Sequence, residues 1–385
     1  MPFFTQATSF QGLWPELSRH LHELMDHGKY SHGHKVAELE KAMARYTGAR
    51  HALAVNNGTD ALVLLLRAAG LEPGDEVVVP AYTFVASATS VALARGRPAF
   101  ADIEPETYAI DPESAAAAIT SRTKAIMPVH LFCQPADMTA IAKVAATHDV
   151  QVLEDSAEGI GMRWDGVHTG LLGAGGVLSF FPTKTLGALG DAGMILTNDK
   201  AIGERASILR HHGRMGRTVD HFAGISNLSG ISGTNSKMDD IQACILLAKL
   251  TRLDEEIGRR AELAAAYTER LAGQPGIVRL PTVVPRDAVT NPVFYVYLIE
   301  AERRDELVAH LTARGIGTEV YYPRPLHLQP CFADLGYGPG DFPNAEAAAE
   351  RAVALPLYPD LGEADVEVVC RAIGDFYSGN SGNSS

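Results

Sequence analysis

Between residues 52 and 153, short apolar runs alternate with stretches of helical spacing, and that alternation restricts the chain more than any other feature. The apolar runs cover 52–55, 76–79, 98–102, 125–129 and 150–153. The spacing between them predicts helices over 61–69, 85–94, 112–119 and 138–148. Strands joined through helices run parallel, and a parallel sheet needs cover on both faces. The chain therefore reads as α/β. Segments 176–181 and 194–197 read as further strands and 201–210 as a helix. Upstream, 17–25 and 36–46 have helical spacing.

A long apolar-striped region, 238–272, predicts a helix broken near Gly258. It separates a large domain, residues 1–250, from a smaller C-terminal α/β domain, residues 251–377. The smaller domain is expected to hold strands at 294–299 and 318–322 and helices at 304–314, 345–354 and 363–376. The polar, glycine-rich stretch 214–234 reads as a mobile or interface loop, and the Ser/Gly/Asn tail 378–385 as disordered.

Composition removes several function classes. Among 385 residues, 46 acidic side chains outnumber 33 basic ones, giving −13, which opposes nonspecific nucleic-acid binding. A phosphorylated ligand would need local cations or a helix terminus. No run approaches the roughly 18 apolar residues of a membrane helix, and the N-terminus lacks signal-peptide features, so a cytoplasmic protein is expected. Cys133, Cys244, Cys331 and Cys370 form no CxxC pair, and the close histidine pairs lack HExxH context. Neither a disulfide framework nor a metal is expected.

The chemistry concentrates at strand ends. Most lysines only solvate a surface. Lys184, however, follows the apolar strand and precedes a glycine-punctuated run, Thr185 to Gly193, where it can reach a carbonyl compound as a Schiff-base lysine. Asp155 ends another strand, and open α/β sheets bind ligands beyond the carboxyl ends of their strands. Pyridoxal phosphate needs this pair: a lysine for its aldehyde and a carboxylate for its ring nitrogen. Asn56-Asn57-Gly58-Thr59 opens a helix and supplies a phosphate cradle, although alone it also reads as a turn with an N-cap.

These residues resemble the DegT/StrS-type (DegT/DnrJ/StrS) sugar aminotransferases, a branch of the fold-type I pyridoxal-phosphate enzymes. The resemblance spans nearly the whole chain, through Gly28 to Gly33, Asn57-Gly58-Thr59, Pro80 to Phe84, Glu154 to Glu158, Ser179 to Lys184, Asn235 to Met238, Gln242-Ala243, Tyr321-Tyr322-Pro323 and Leu326-His327. It implies an aspartate aminotransferase-like fold, with a large mixed, mostly parallel sheet and a smaller C-terminal α/β domain. It also implies that Lys184 bonds the cofactor and, once displaced by substrate, shuttles a proton. Asp155 would hold the ring nitrogen protonated, Phe84 would stack on the ring, and Gly58, Thr59 and Ser179 would bind phosphate, with Asp60 and Glu158 also in the cofactor set. Asn235 would reach the phosphate of a neighbouring subunit, which implies a homodimer with composite sites; locally it is only a turn residue. Tyr322 and His327 are substrate-side residues or packing residues.

Three positions depart from the family pattern: Glu158 stands where Gln or His is usual, Lys237 where Arg is common, and Cys133 where Gly is usual. The implied reaction moves an amino group from an amino acid, glutamate, through pyridoxamine phosphate, to a nucleotide-linked keto-deoxysugar. The run from Phe181 to Asp191 resembles the 3-ketosugar branch more than the 4-ketosugar branch. A cyclitol-ketone aminotransferase and a noncatalytic regulator are alternatives. A dehydratase of the same family would carry His in place of Lys184.

Overall fold

The computed structural model describes residues 1–214 and 229–379. Two helices lead the chain, α1 (Ala7–His27) and α2 (His34–Thr47). The alternation then runs β1 (His51–Val55), α3 (Gly58–Ala68), β2 (Glu76–Pro80), α4 (Ala86–Leu93), β3 (Arg97–Ala101), α5 (Pro112–Ala117), β4 (Thr123–Ile126), α6 (Met138–His148) and β5 (Gln151–Asp155). A short hairpin, β6 (Arg163–Trp164) and β7 (Val167–His168), precedes β8 (Gly175–Ser179), β9 (Gly193–Thr197) and α7 (Lys200–Leu209).

The sheet order is β1-β9-β8-β5-β4-β2-β3. Pairings from β8 through β3 are parallel, whereas β9 runs antiparallel to both β8 and β1. Val77, Val79, Val177 and Ile195 pack into one core cluster while Val78, Ile126, Leu178 and Met194 pack into others, so alternate strand residues bury both faces. The carboxyl edge collects the ends of β1, β2, β5 and β8. Because β9 is reversed, its first residue, Gly193, lies at the same edge, paired with Val55 and Ser179.

The rest of the chain is α8 (Asp240–Leu250), α9 (Leu253–Leu271), β10 (Ile277–Arg279), β11 (Tyr297–Ala301), α10 (Arg304–Ala313), α11 (Pro343–Arg351), β12 (Ala352–Leu355) and α12 (Glu363–Ser378). Strands β10, β11 and β12 form an antiparallel sheet with β11 central. Leu263, Tyr267 and Leu271 of α9 pack with Ile299, Leu355 and Ile373 in its core. Among the described residues no helix is long and apolar enough to cross a membrane.

Four expectations change. The long helix breaks at Thr251–Arg252, between α8 and α9, and Gly258 lies inside α9 with open space at its Cβ position. The break marks a change of packing: α8 is buried almost all round between α1 and α2, while α9 buries only one stripe. Residues 352–354, expected as the end of the 345–354 helix, belong instead to β12, because pairing with β11 overrides alanine-rich helix propensity. Residues 318–322 form no strand, only a bridge between Glu319 and Ala354. The first helix begins at Ala7, and Pro15 lies within it. Of the stretch 214–234, residues 215–228 lie outside the described residues, as do 380–385 of the tail.

Candidate active site

Glu154 and Asp155 end β5 and, one residue apart on a strand, point to opposite sides. Glu154 is wholly committed to structure. It accepts backbone N–H bonds from Gly170 (2.7 Å), Leu172 (2.7 Å) and Gly173 (2.8 Å) and lies 2.9 Å from His130 Nε2. Asp155 is also buried, but it has fewer partners. Its Oδ2 accepts from Ser87 Oγ at 2.7 Å and its Oδ1 from Ala157 N at 3.2 Å. Burial raises the Asp155 carboxyl above its ordinary range, opposed by these hydrogen bonds and by Lys184 and His130. A buried carboxylate of this kind gains from a cationic N–H partner.

Lys184 rides on a tight turn after β8, closed by its N–H donating to Phe181 O at 2.8 Å. The turn folds onto Gly187, where a Cβ would lie 2.3 Å from Pro182 O, so only glycine fits. The lysine side chain is 16% exposed, enough to be reached. Its Nζ donates to Glu158 Oε1 at 3.1 Å, and Glu158 Oε2 accepts from Phe132 N at 3.1 Å. Burial alone would lower the basicity of Lys184; Glu158 first, then Tyr295 and Asp155, more than reverse this and raise it.

Beside this pair, α3 begins at Gly58. Asn57 caps it, its Oδ1 accepting from Asp60 N at 2.7 Å, so Asp60 enters the turn through its backbone. The N–H groups of Gly58 and Thr59 then stand at the helix start without an intrahelical acceptor. A Cβ on Gly58 would lie 3.0 Å from Ser179 Cβ and 3.2 Å from its Oγ; one on Gly193 would lie 2.5 Å from the Asn57 carbonyl carbon. Two glycines thus bring a helix N-terminus against a serine hydroxyl, an arrangement that favours an anion.

The segment after β2 serves two purposes. Ser87, in the first turn of the α4 helix that follows, supports Asp155, while Phe84 stands 57% exposed, 6.2 Å in ring separation from Tyr322. Tyr322 packs 5.7 Å from the Tyr82 ring and lies within the field of Glu158. The structure therefore brings Gly58 with Ser179, Lys184 with Glu158, and Phe84 with Tyr322, at one edge. His327 makes its contacts elsewhere: its buried ring lies 4.8 Å from Phe342, with Nε2 3.2 Å from Glu346 Oε1. Asn235 is exposed and accepts from Lys237 Nζ; the adjoining Ser236 Oγ accepts from Asn56 N at 3.3 Å. Among the described residues, the Asn235 side chain makes no hydrogen bond to Gly58, Thr59 or Ser179.

Ser87 and Tyr295 were not identified from sequence. Ser87 resembles any helix serine, and Tyr295 lies more than a hundred residues beyond Lys184 with no local motif. Among the described residues one His/Glu group has metal-ligand spacing, His20, Glu23 and Glu38, but the Lys35 ammonium bonds all three side chains.

A lysine, a carboxylate that gains from a cationic partner, and a glycine-lined anion cradle fit pyridoxal phosphate. The sequence model of the DegT/DnrJ/EryC1/StrS aminotransferase family matches residues 14–374. A "pleiotropic regulatory protein" of Geobacillus stearothermophilus is 43% identical over 98% of each chain. The dTDP-3-amino-3,4,6-trideoxy-alpha-D-glucose transaminase of Streptomyces venezuelae is 38% identical over 94% of this chain and 92% of its own. The crystal structure of S. venezuelae DesV in complex with a ketimine intermediate superposes with a TM-score of 0.91 at 37% identity, covering 97% of this chain and 98% of that one. Aminotransferases of this type use pyridoxal 5′-phosphate. With the family pattern running through nearly its whole length and a fold-type I architecture around the strand-end lysine, the chain belongs to the DegT/DnrJ/EryC1/StrS aminotransferase family.

Proposed function

We propose that this protein is a pyridoxal-phosphate-dependent aminotransferase that moves an amino group from glutamate to the keto group of a dTDP-3-keto-6-deoxyhexose in aminosugar biosynthesis. The observation that carries the reading is Lys184 Nζ held 3.1 Å from Glu158, at the strand edge that also bears buried Asp155. The name of the Streptomyces relative and the lysine-loop sequence support a 3-ketosugar. Pyridoxal phosphate, when bound, supplies an aldehyde for an amine and a ring that accepts the electron pair of a deprotonated carbon.

The residues divide the remaining tasks. Gly58, Thr59 and Ser179 would hold the phosphate through backbone N–H groups and a hydroxyl. Asp155 would keep a proton on the ring nitrogen, with Ser87 fixing the carboxylate. Phe84 would flank the ring and Tyr322 would exclude water from one side. Lys184 Nζ is the group that takes up and returns a proton. Glu158 orients that amine while Phe132 N–H orients Glu158. The exposed Asn235 supports a homodimer in which each copy completes the other's site, in the cytoplasm.

Absorption spectroscopy tests this directly. Added pyridoxal phosphate should give a visible band that glutamate bleaches and that Lys184→Ala abolishes, and a dTDP-3-keto-6-deoxyhexose should then restore it. A Lys184-dependent band bleached by glutamate but restored only by a cyclitol ketone would move the substrate class. No Lys184-dependent band would return the chain to a regulatory reading.

A further inference from the structure

Lys184 has a second neighbour that the cofactor-binding set leaves unused. Its Nζ lies 4.2 Å from the centroid of the Tyr295 ring. Tyr295 is only 4% exposed and is fixed at three points. Its backbone N–H donates to Phe132 O at 2.8 Å, and its hydroxyl lies 3.2 Å from Thr183 Oγ1 and 3.5 Å from the Tyr321 hydroxyl. Phe132 is the residue whose N–H holds Glu158. One backbone segment therefore sets both the carboxylate and the ring against the same amine, while Thr183 ties the ring to the turn that carries it.

A cation over an aromatic face is attracted by the ring quadrupole, more strongly where water is excluded. A neutral amine gains little from the same face. The ring therefore favours the ammonium without introducing a second carboxylate into the pocket. Glu158 and Asp155 are the charged groups that act on Lys184, and the Glu158 charge also acts on the phenols of Tyr321 and Tyr322, holding them protonated.

Building on the aminotransferase reading, we infer that Tyr295 is a catalytic residue that seats the protonated ε-ammonium of Lys184, its ring and Glu158 together holding the nitrogen between proton uptake and proton release. Nζ gains one proton from a carbon and gives one proton to another carbon, which returns the amine unchanged. Tyr295 exchanges none, and no further reactant is needed.

Pulse labelling with acetic anhydride tests the role in the full-length, cofactor-stripped protein. The Lys184 peptide is quantified by mass spectrometry against exposed Lys200 across neutral to alkaline pH. Loss of the ring in Tyr295→Leu should speed Lys184 labelling about tenfold at neutral pH. Tyr295→Phe, which keeps the ring, should match the wild type. Should Tyr295→Leu fail to fold, p-cyanophenylalanine at position 295 preserves shape while draining electron density from the ring face. It should label about threefold faster than Tyr295→Phe. Equal rates for Tyr295→Leu and wild type, or for the two ring variants, overturn the role. The pyridoxal-phosphate spectrum of the same wild-type sample separates the two failures: a Lys184-dependent band with indifferent labelling removes Tyr295 alone, whereas no band removes the aminotransferase reading and this role with it.

Discussion

Asp155 shows how much of this site depends on a single buried oxygen. Its carboxylate takes one hydroxyl and one backbone N–H, and burial already weakens its charge. Asp155→Asn keeps the size and the hydrogen-bonding plane but removes the charge that would hold a proton on a ring nitrogen. Single-turnover reaction with glutamate should slow by roughly 10²–10³-fold, the scale of removing one preorganised electrostatic partner. Retention of the wild-type rate would contradict the assignment of Asp155. Sequence reading located Asp155 and Lys184 because an acid and a lysine at strand ends are chemically unusual. It did not locate Ser87 or Tyr295, whose importance lies only in what they touch. Burial acts to lower the basicity of Lys184, but Glu158, Tyr295 and Asp155 together outweigh it and leave the amine more basic than a free lysine.

At the scale of the element, α3 is both a core helix and a ligand cradle. Leu62, Leu65 and Leu66 lie in the large core while the first turn faces the strand edge. Gly58→Val should leave the helix anchored by those leucines but drive side-chain carbon into Ser179, 3.0 Å from the Cβ position. Pyridoxal phosphate should then bind about tenfold more weakly by fluorescence titration, on the order of one lost charge-assisted hydrogen bond. The far-ultraviolet circular dichroism should remain unchanged. Affinity equal to wild type would place the phosphate elsewhere. Sequence showed this helix start well, because Asn-Gly-Thr before a leucine run is a capping pattern. It misassigned 352–354, where the deciding fact is pairing with a strand more than fifty residues away.

The whole molecule carries a separate dependence on acid. His168, the last residue of β7, is wholly buried; its Nε2 accepts from Gly161 N at 2.9 Å and its Nδ1 donates to Thr169 O at 2.5 Å. Protonating Nε2 would cost the Gly161 bond. Burial pushes the imidazole down to about 4, against the opposing effect of the Thr169 carbonyl. The unfolded chain, titrating near 6.5, therefore binds more protons between about pH 4 and 6.5, so stability rises with pH across that window and is lost on acidification. The loss attributable to this group is about 3 kcal/mol in total. Denaturant midpoints measured from neutral to acidic pH should fall steeply in wild type and less steeply in His168→Gln. Parallel curves would exclude His168 as the source. The same scale explains the site's closure. Tyr295 and Val296 belong to the core of the large sheet, yet they lead directly into β11 of the small one. The wall against Lys184 is thus delivered by the start of the second sheet.

By itself the sequence determined the α/β rhythm, the mostly parallel sheet and the strand-end lysine, acid and helix start. Those features are local: apolar spacing, glycine at turns, and one unusual charge at each strand end. Only the tertiary structure decided what each acid of the Glu154–Asp155 pair touches, since strand alternation separates them and the neighbours of each come from distant segments. It likewise joined Phe132, Glu158 and Tyr295 around one amine and placed His327 among packing residues. These contacts depend on chain segments far apart in sequence, and no residue pattern encodes a contact of that kind locally.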